Sequence, residues 1–126
     1  MAYRTPLARV RGLGSAKEGA EHFWRQRLTA VANIFLVCFL IWLLATLGGA
    51  DYATAKQTLA KPHIAIPLLL LVLSGLVHMR LGMQVIIEDY VHSEGRRVAA
   101  LMLNSFFTLV VGLVCVFAVL KLSFGA

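Results

Sequence analysis

The chain has 126 residues, 60% hydrophobic and only 14% charged, a balance that leaves almost nothing for a soluble catalytic domain and room for one small unit. Its 12 basic and 6 acidic residues give a formal charge of +6, but the excess lies beside an apolar segment. It therefore speaks for a membrane surface and not for nucleic acid.

Three apolar runs, at about 28–47, 64–87 and 98–120, each reach the roughly twenty residues a helix needs to cross a bilayer. The expected fold is an all-α integral membrane protein with three transmembrane helices, a single membrane-anchor domain over residues 1–126 whose basic N-terminal arm covers 1–27. Arg4, Arg9, Arg11, Lys17, Arg25 and Arg27 precede the first run, which predicts a cytoplasmic (or organellar matrix) N-terminus and a C-terminus on the opposite side. The connection carrying Arg96 and Arg97 returns to the basic side, while the one carrying Asp51, Lys56 and Lys61 is nearly neutral. No cleavable signal is expected, because the arm is long and the first run exceeds a signal-peptide core. Three helices enclose little interior, so polar residues within them imply helices from a partner chain or a second copy.

In chain order, residues 1 to about 18, with Gly12, Gly14 and Ser15, read as loop. A helix entry begins at Glu18, and Trp24 and Arg25 read as interfacial anchors. Arg27 stands immediately before Leu28, where an arginine turned inward can pair with an anionic group such as a porphyrin propionate. Thr29 and Asn33, four apart, mark the side of the first span that faces protein. Cys38 and Cys115 lie inside apolar runs without metal or redox spacing, as small packing residues. Trp42 anchors the far side, and Gly48-Gly49 stops the helix. Tyr52 to Ala60 has weak helical character, and His63 reads as a solvated interfacial histidine.

The second span opens with Pro67 in its first turns, where a missing amide donor is tolerated. Within it stands His78, and an ionisable side chain in such a segment faces a partner, a cavity or a cofactor. At about 100° per residue, Ser74, Gly75, Gly82 and Asp89 share a narrow arc with it. Two readings fit. Gly75 and Gly82 leave a shallow trough in which a flat macrocycle lies with His78 as axial ligand; or they let a neighbouring helix approach while His78 hydrogen-bonds across the contact. The span ends in Glu88-Asp89-Tyr90, about 16 Å along the axis from His78, at the cytoplasmic surface. Arg80, nearly opposite His78 and in line with Gln84 and Glu88, snorkels to the interface or joins them in a polar seam against a partner. In the third span Asn104, Ser105, Thr108, Gly112 and Cys115 form a packing stripe of small and polar residues.

Taken together, His78-x3-Gly82-Met83-x5-Asp89-Tyr90-Val91 and the Gly19-x7-Arg27-x-Thr29-Ala30 entry resemble the small hydrophobic membrane-anchor subunit of succinate dehydrogenase, the cytochrome b anchor of respiratory complex II. The resemblance covers essentially the whole chain and rests on these few positions. It implies an electron-transfer role in the tricarboxylic acid cycle and respiratory chain, in a bacterial inner membrane or its mitochondrial counterpart. One histidine from this chain and one from a second three-helix cytochrome b anchor subunit ligate a shared heme b, and His78 takes that position. Tyr90 is implied to hydrogen-bond a ubiquinone carbonyl, with Asp89 supporting the site, and Arg27 matches the arginine near the heme propionates. The flavoprotein and iron-sulfur subunits are the implied partners, and they hold the succinate site, for which this chain has no residues. Arg80 and His22 depart from the pattern. The competing expectations are a cofactor-free membrane scaffold or assembly subunit, and the anchor of a fumarate reductase.

Overall fold

A computed structural model of the chain describes residues 5–11 and 18–125. Among these there is no strand, and the elements are α1 (Pro6–Val10), α2 (Glu18–Leu47), α3 (Tyr52–Leu59), α4 (Pro62–Tyr90) and α5 (Glu94–Ser123). Of the expected opening loop, residues 1–4 and 12–17, with Gly12, Gly14 and Ser15, lie outside the described residues. Pro6–Val10 is instead a short helix, opened by a proline whose missing N–H has no helical partner to lose at that position.

The long helices α2, α4 and α5 hold 30, 29 and 30 residues. Each is about 45 Å long, against about 30 Å of hydrocarbon. All three are long and apolar enough to span, and the protein is a multi-pass membrane protein. They run past the apolar runs because the backbone ladder continues into the interface, where charged side chains reach water. Arg96 and Arg97 accordingly stand in the first turn of α5, not in a connection, and only residues 91–93 join α4 to α5.

Local chemistry sets the helix ends. α2 stops where Gly49 takes a φ of 85°, a left-handed conformation that side chains with a Cβ avoid. The Asp51 carboxylate then accepts the Thr54 backbone N–H at 3.4 Å and caps α3. Pro62 opens α4 at its first position, and Pro67 lies in the second turn, where its missing N–H deprives the residue 63 carbonyl of a helical donor.

The central element is α4, with α2 packed on one side and α5 on the other. Both contacts are antiparallel: Thr29 of α2 meets His78 and Ser74, and Asn104 of α5 meets the backbone at Arg80. α3 lies against α4 and α5. Few side chains are buried, chiefly Leu43, Ile64, Ala65, Ile87, Asn104 and Val119, so most of the apolar surface of the three long helices faces outward.

Candidate functional site

His78 sits close to the middle of α4, on the side that packs against α2. Its Nδ1 lies 3.1 Å from the Thr29 hydroxyl. That hydroxyl is also 2.8 Å from the Arg25 carbonyl and 3.1 Å from the Gln26 carbonyl, in the preceding turn of its own helix. One turn before His78, Ser74 donates to the Thr29 carbonyl at 3.5 Å. No described residue hydrogen-bonds Nε2 of His78. The histidine thus bonds across a helix contact through one ring nitrogen and keeps the other for a further partner.

The two glycines flanking His78 divide in role. A Cβ at Gly82 would lie 3.4 Å from Nε2 of Gln26, so α2 fills that side. A Cβ at Gly75 would meet nothing. The small-residue trough therefore opens at Gly75 alone, while Gly82 permits the close approach of α2.

Along the same face of α2, three further polar atoms are buried with no hydrogen-bond partner: Nε2 of His22, Oε1 of Gln26 and Oδ1 of Asn33. An unmatched buried polar atom costs about 1–3 kcal/mol, so this seam is incomplete within the chain alone. Arg27 lies on the opposite side of α2, exposed, with its guanidinium 4.2 Å from the centre of the Phe23 ring and no acidic partner among the described residues. Neighbouring Arg25 pairs with Glu21 on the helix surface, as befits an anchor at the interface.

At the other end of α4, Tyr90 is the last helical residue, because Val91 turns to an extended conformation. Its side chain is 77% exposed and borders an open hollow of about 350 Å³ with Val91, His92, Arg96 and Ala100. Asp89 is exposed, without a hydrogen-bond partner among the described residues, and Glu88 accepts from the Gln84 amide at 2.8 Å. The hollow at this surface thus brings together the Tyr90 phenol, the Arg96 guanidinium and His92, and Asp89 is not among the residues that line it.

Thr29, Gln26 and His22 as neighbours of the His78 face, and Arg96 and His92 beside Tyr90, were not singled out by spacing. Thr29 gave a partial signal as half of a protein-facing pair. Its pairing with His78 needs the register between two helices. Arg96 shares a hollow with Tyr90 because the joining segment is so short.

The chain matches the family of succinate dehydrogenase/fumarate reductase transmembrane subunits over residues 1–119. It is similar to the succinate dehydrogenase hydrophobic membrane anchor subunit of Rickettsia bellii (strain RML369-C), 34% identical over 91% of this chain and 94% of that one. It is also similar to that of Paracoccus denitrificans, 32% identical over 100% of this chain and 97% of that one. This chain belongs to the transmembrane-subunit family of succinate dehydrogenase and fumarate reductase. The succinate dehydrogenase membrane anchor subunit of Reclinomonas americana is 32% identical over 69% of this chain and 75% of that one, and no solved structure matches. Membership makes the chain a membrane-anchor subunit of the succinate dehydrogenase complex. It accounts for the outward-facing apolar surface of α2, α4 and α5, which an anchor turns toward lipid and companion subunits.

Among the described residues no three His, Cys, Asp or Glu side chains cluster as a metal site. A single imidazole with one nitrogen free suits a group that needs one axial ligand from this chain and another from a partner. The residues present fit a heme in that sense. His78 presents an unpartnered Nε2, Gly75 leaves space beside it, and His22, the histidine nearest it along α2, stands seven residues, about 10 Å of helix, above Thr29.

Proposed function

We propose that this chain helps bind a heme b shared with a second cytochrome b anchor subunit and completes a ubiquinone-reduction site. The iron-sulfur and flavoprotein subunits dock on the face that carries the N-terminus, at the cytoplasmic side of a bacterial inner membrane or the matrix side of its mitochondrial counterpart. Succinate is oxidised on those other chains, and the relatives' names favour that direction over fumarate reduction. The single observation that carries the reading is the mid-membrane imidazole of His78, held through Nδ1 with Nε2 uncommitted.

His78 is the residue that would ligate the iron, and a heme b held there would supply reversible one-electron storage. Arg27 is assigned to a heme propionate on the resemblance; its guanidinium has no acidic partner among the described residues, but it lies on the side of α2 away from His78. Reduction of a quinone to a quinol takes up two electrons and two protons. The Tyr90 hydroxyl donates a hydrogen bond to a quinone carbonyl, polarising it toward reduction, and the exposed Asp89 carboxylate exchanges protons with water beside it. Arg96, lining the same hollow, adds a fixed positive charge that stabilises developing negative charge on the quinone oxygens.

The deciding experiment is affinity purification from mild detergent, with subunit identification and a reduced-minus-oxidised optical spectrum. The expected result is a four-subunit complex with b-type bands that disappear in His78→Leu. A stable assembly without such bands would establish the cofactor-free scaffold instead.

A further inference from the structure

We infer that Thr29 is a positioning residue that fixes the His78 ring as the Nδ1–H tautomer and so keeps Nε2 as the free lone pair. The inference rests on the reading of His78 as axial ligand. Its basis is proton counting around one oxygen. The Thr29 hydroxyl carries a single proton, and the carbonyls of Arg25 and Gln26, at 2.8 and 3.1 Å, can accept it and nothing else. With its proton given to the Arg25 carbonyl, the shortest of its three contacts, the oxygen accepts from Nδ1 of His78 at 3.1 Å. A neutral imidazole has one N–H, so a proton on Nδ1 leaves Nε2 unprotonated.

The same residue fixes the orientation of the ring. Its backbone carbonyl accepts from Ser74, one turn before His78, so Thr29 holds α4 at two successive turns. The N–H of a ligating histidine usually finds such an acceptor, and losing that acceptor typically costs 10–100-fold in affinity for the metal group.

The test uses the purified holocomplex and compares Thr29→Val, nearly isosteric but without the hydroxyl, with Thr29→Ser, which restores it. Heme content, the low-spin EPR signal and the heme midpoint potential are read in each, with His78→Leu alongside. The expected result is a roughly 10–100-fold weaker heme retention in Thr29→Val, with a shifted potential and a broadened EPR signal, and wild-type values in Thr29→Ser. Thr29→Ala serves as the same test if the valine side chain blocks assembly. Wild-type heme content, EPR and potential in whichever of these assembles would overturn the inference while leaving the ligand assignment intact. Failure of both to assemble while His78→Leu assembles would also overturn it, since Thr29 would then hold the helices and not the ring. Absence of b-type bands from the wild-type complex, or their persistence in His78→Leu, would instead overturn the underlying heme reading.

Discussion

Between α4 and α5 the buried polar groups are matched within the chain. The one buried asparagine, Asn104, donates to the Arg80 carbonyl at 3.0 Å, and Thr108 one turn on returns its hydroxyl proton to the Asn104 carbonyl at 2.7 Å. Beside them Met79, Met83, Ile87 and Phe107 line an open apolar hollow of about 360 Å³, and Gly112 lets Leu76 come close. Between α2 and α4 the helices cross just as tightly, with Gln26 seated over Gly82. Yet His22, Gln26 and Asn33 each bury an unmatched polar atom, and His78 keeps a free nitrogen. One helix thus has a side whose buried polar groups are matched and a side where they are not. The lesson is that burial alone does not mark a functional face; an unmatched buried atom costs about 1–3 kcal/mol, and on this side His78 keeps a second nitrogen free for a further group.

The sharpest way to break this contrast is to remove the key residue on each side. His78→Leu is expected to abolish the b-type spectrum of the complex, while Asn104→Leu leaves it in place; loss of the spectrum in both would mean that the two seams act as one. At the membrane surface, Tyr90→Phe is expected to lower quinone reduction by about 10²-fold, the lower end of what a positioned proton donor contributes. Succinate oxidation by an artificial dye should be largely retained, and parallel loss of both activities would point to failed assembly.

A smaller effect tests the energetics directly. In the isolated chain in mild detergent, Asn104→Leu should lose about 1 kcal/mol by SDS titration, the ordinary worth of a satisfied hydrogen bond. Asn33→Leu should be neutral or stabilising, since its carbonyl oxygen has no partner there. Equal losses would erase the distinction between the seams. Smaller still is the glycine pair. Gly112→Ala places a methyl 3.0 Å from the mobile end of Leu76, and Gly82→Ala places one 3.4 Å from Gln26. The first should cost up to about 1 kcal/mol as the leucine shifts and the second close to nothing.

The smallest effect lies outside both seams. The Thr54 side chain and then its backbone N–H hold the Asp51 carboxyl below its ordinary value, so the folded pKa is lower than the unfolded one. Its contribution to the cap of α3 is therefore present above the unfolded value and is lost as pH falls through the lowered one. Asp51→Ala should remove that acid dependence in a melting curve taken against pH, with its small loss of stability seen near neutrality and little difference from the wild type at low pH.

Much of the fold was legible along the chain. Three runs of apolar residues dictate three spanning helices, since in hydrocarbon the backbone must satisfy itself, and Gly48-Gly49 marks the end of the first. The exact ends were less so. Arg96 and Arg97 look like a connection by charge, but interfacial water accepts charged side chains on a continuing helix. Of the site, His78 stood out because an imidazole amid leucines is rare, and Tyr90 with Asp89 because the resemblance points to that pair. The near neighbours of each did not, for the partner of a side chain on one helix depends on how far a second helix slides along it.

What the sequence alone determined is the membrane-spanning, all-helical character of the chain and the standing of His78 as a costly intramembrane group that demands a partner, because hydropathy and the cost of an intramembrane ionisable group are local properties. What only the tertiary structure decided is which nitrogen of His78 is engaged, that Gly82 is filled while Gly75 stays open, and that Arg27 lies away from the seam. Those are matters of helix register and rotation, set by the summed packing of α2 and α5 on α4 and carried by no single stretch of the chain.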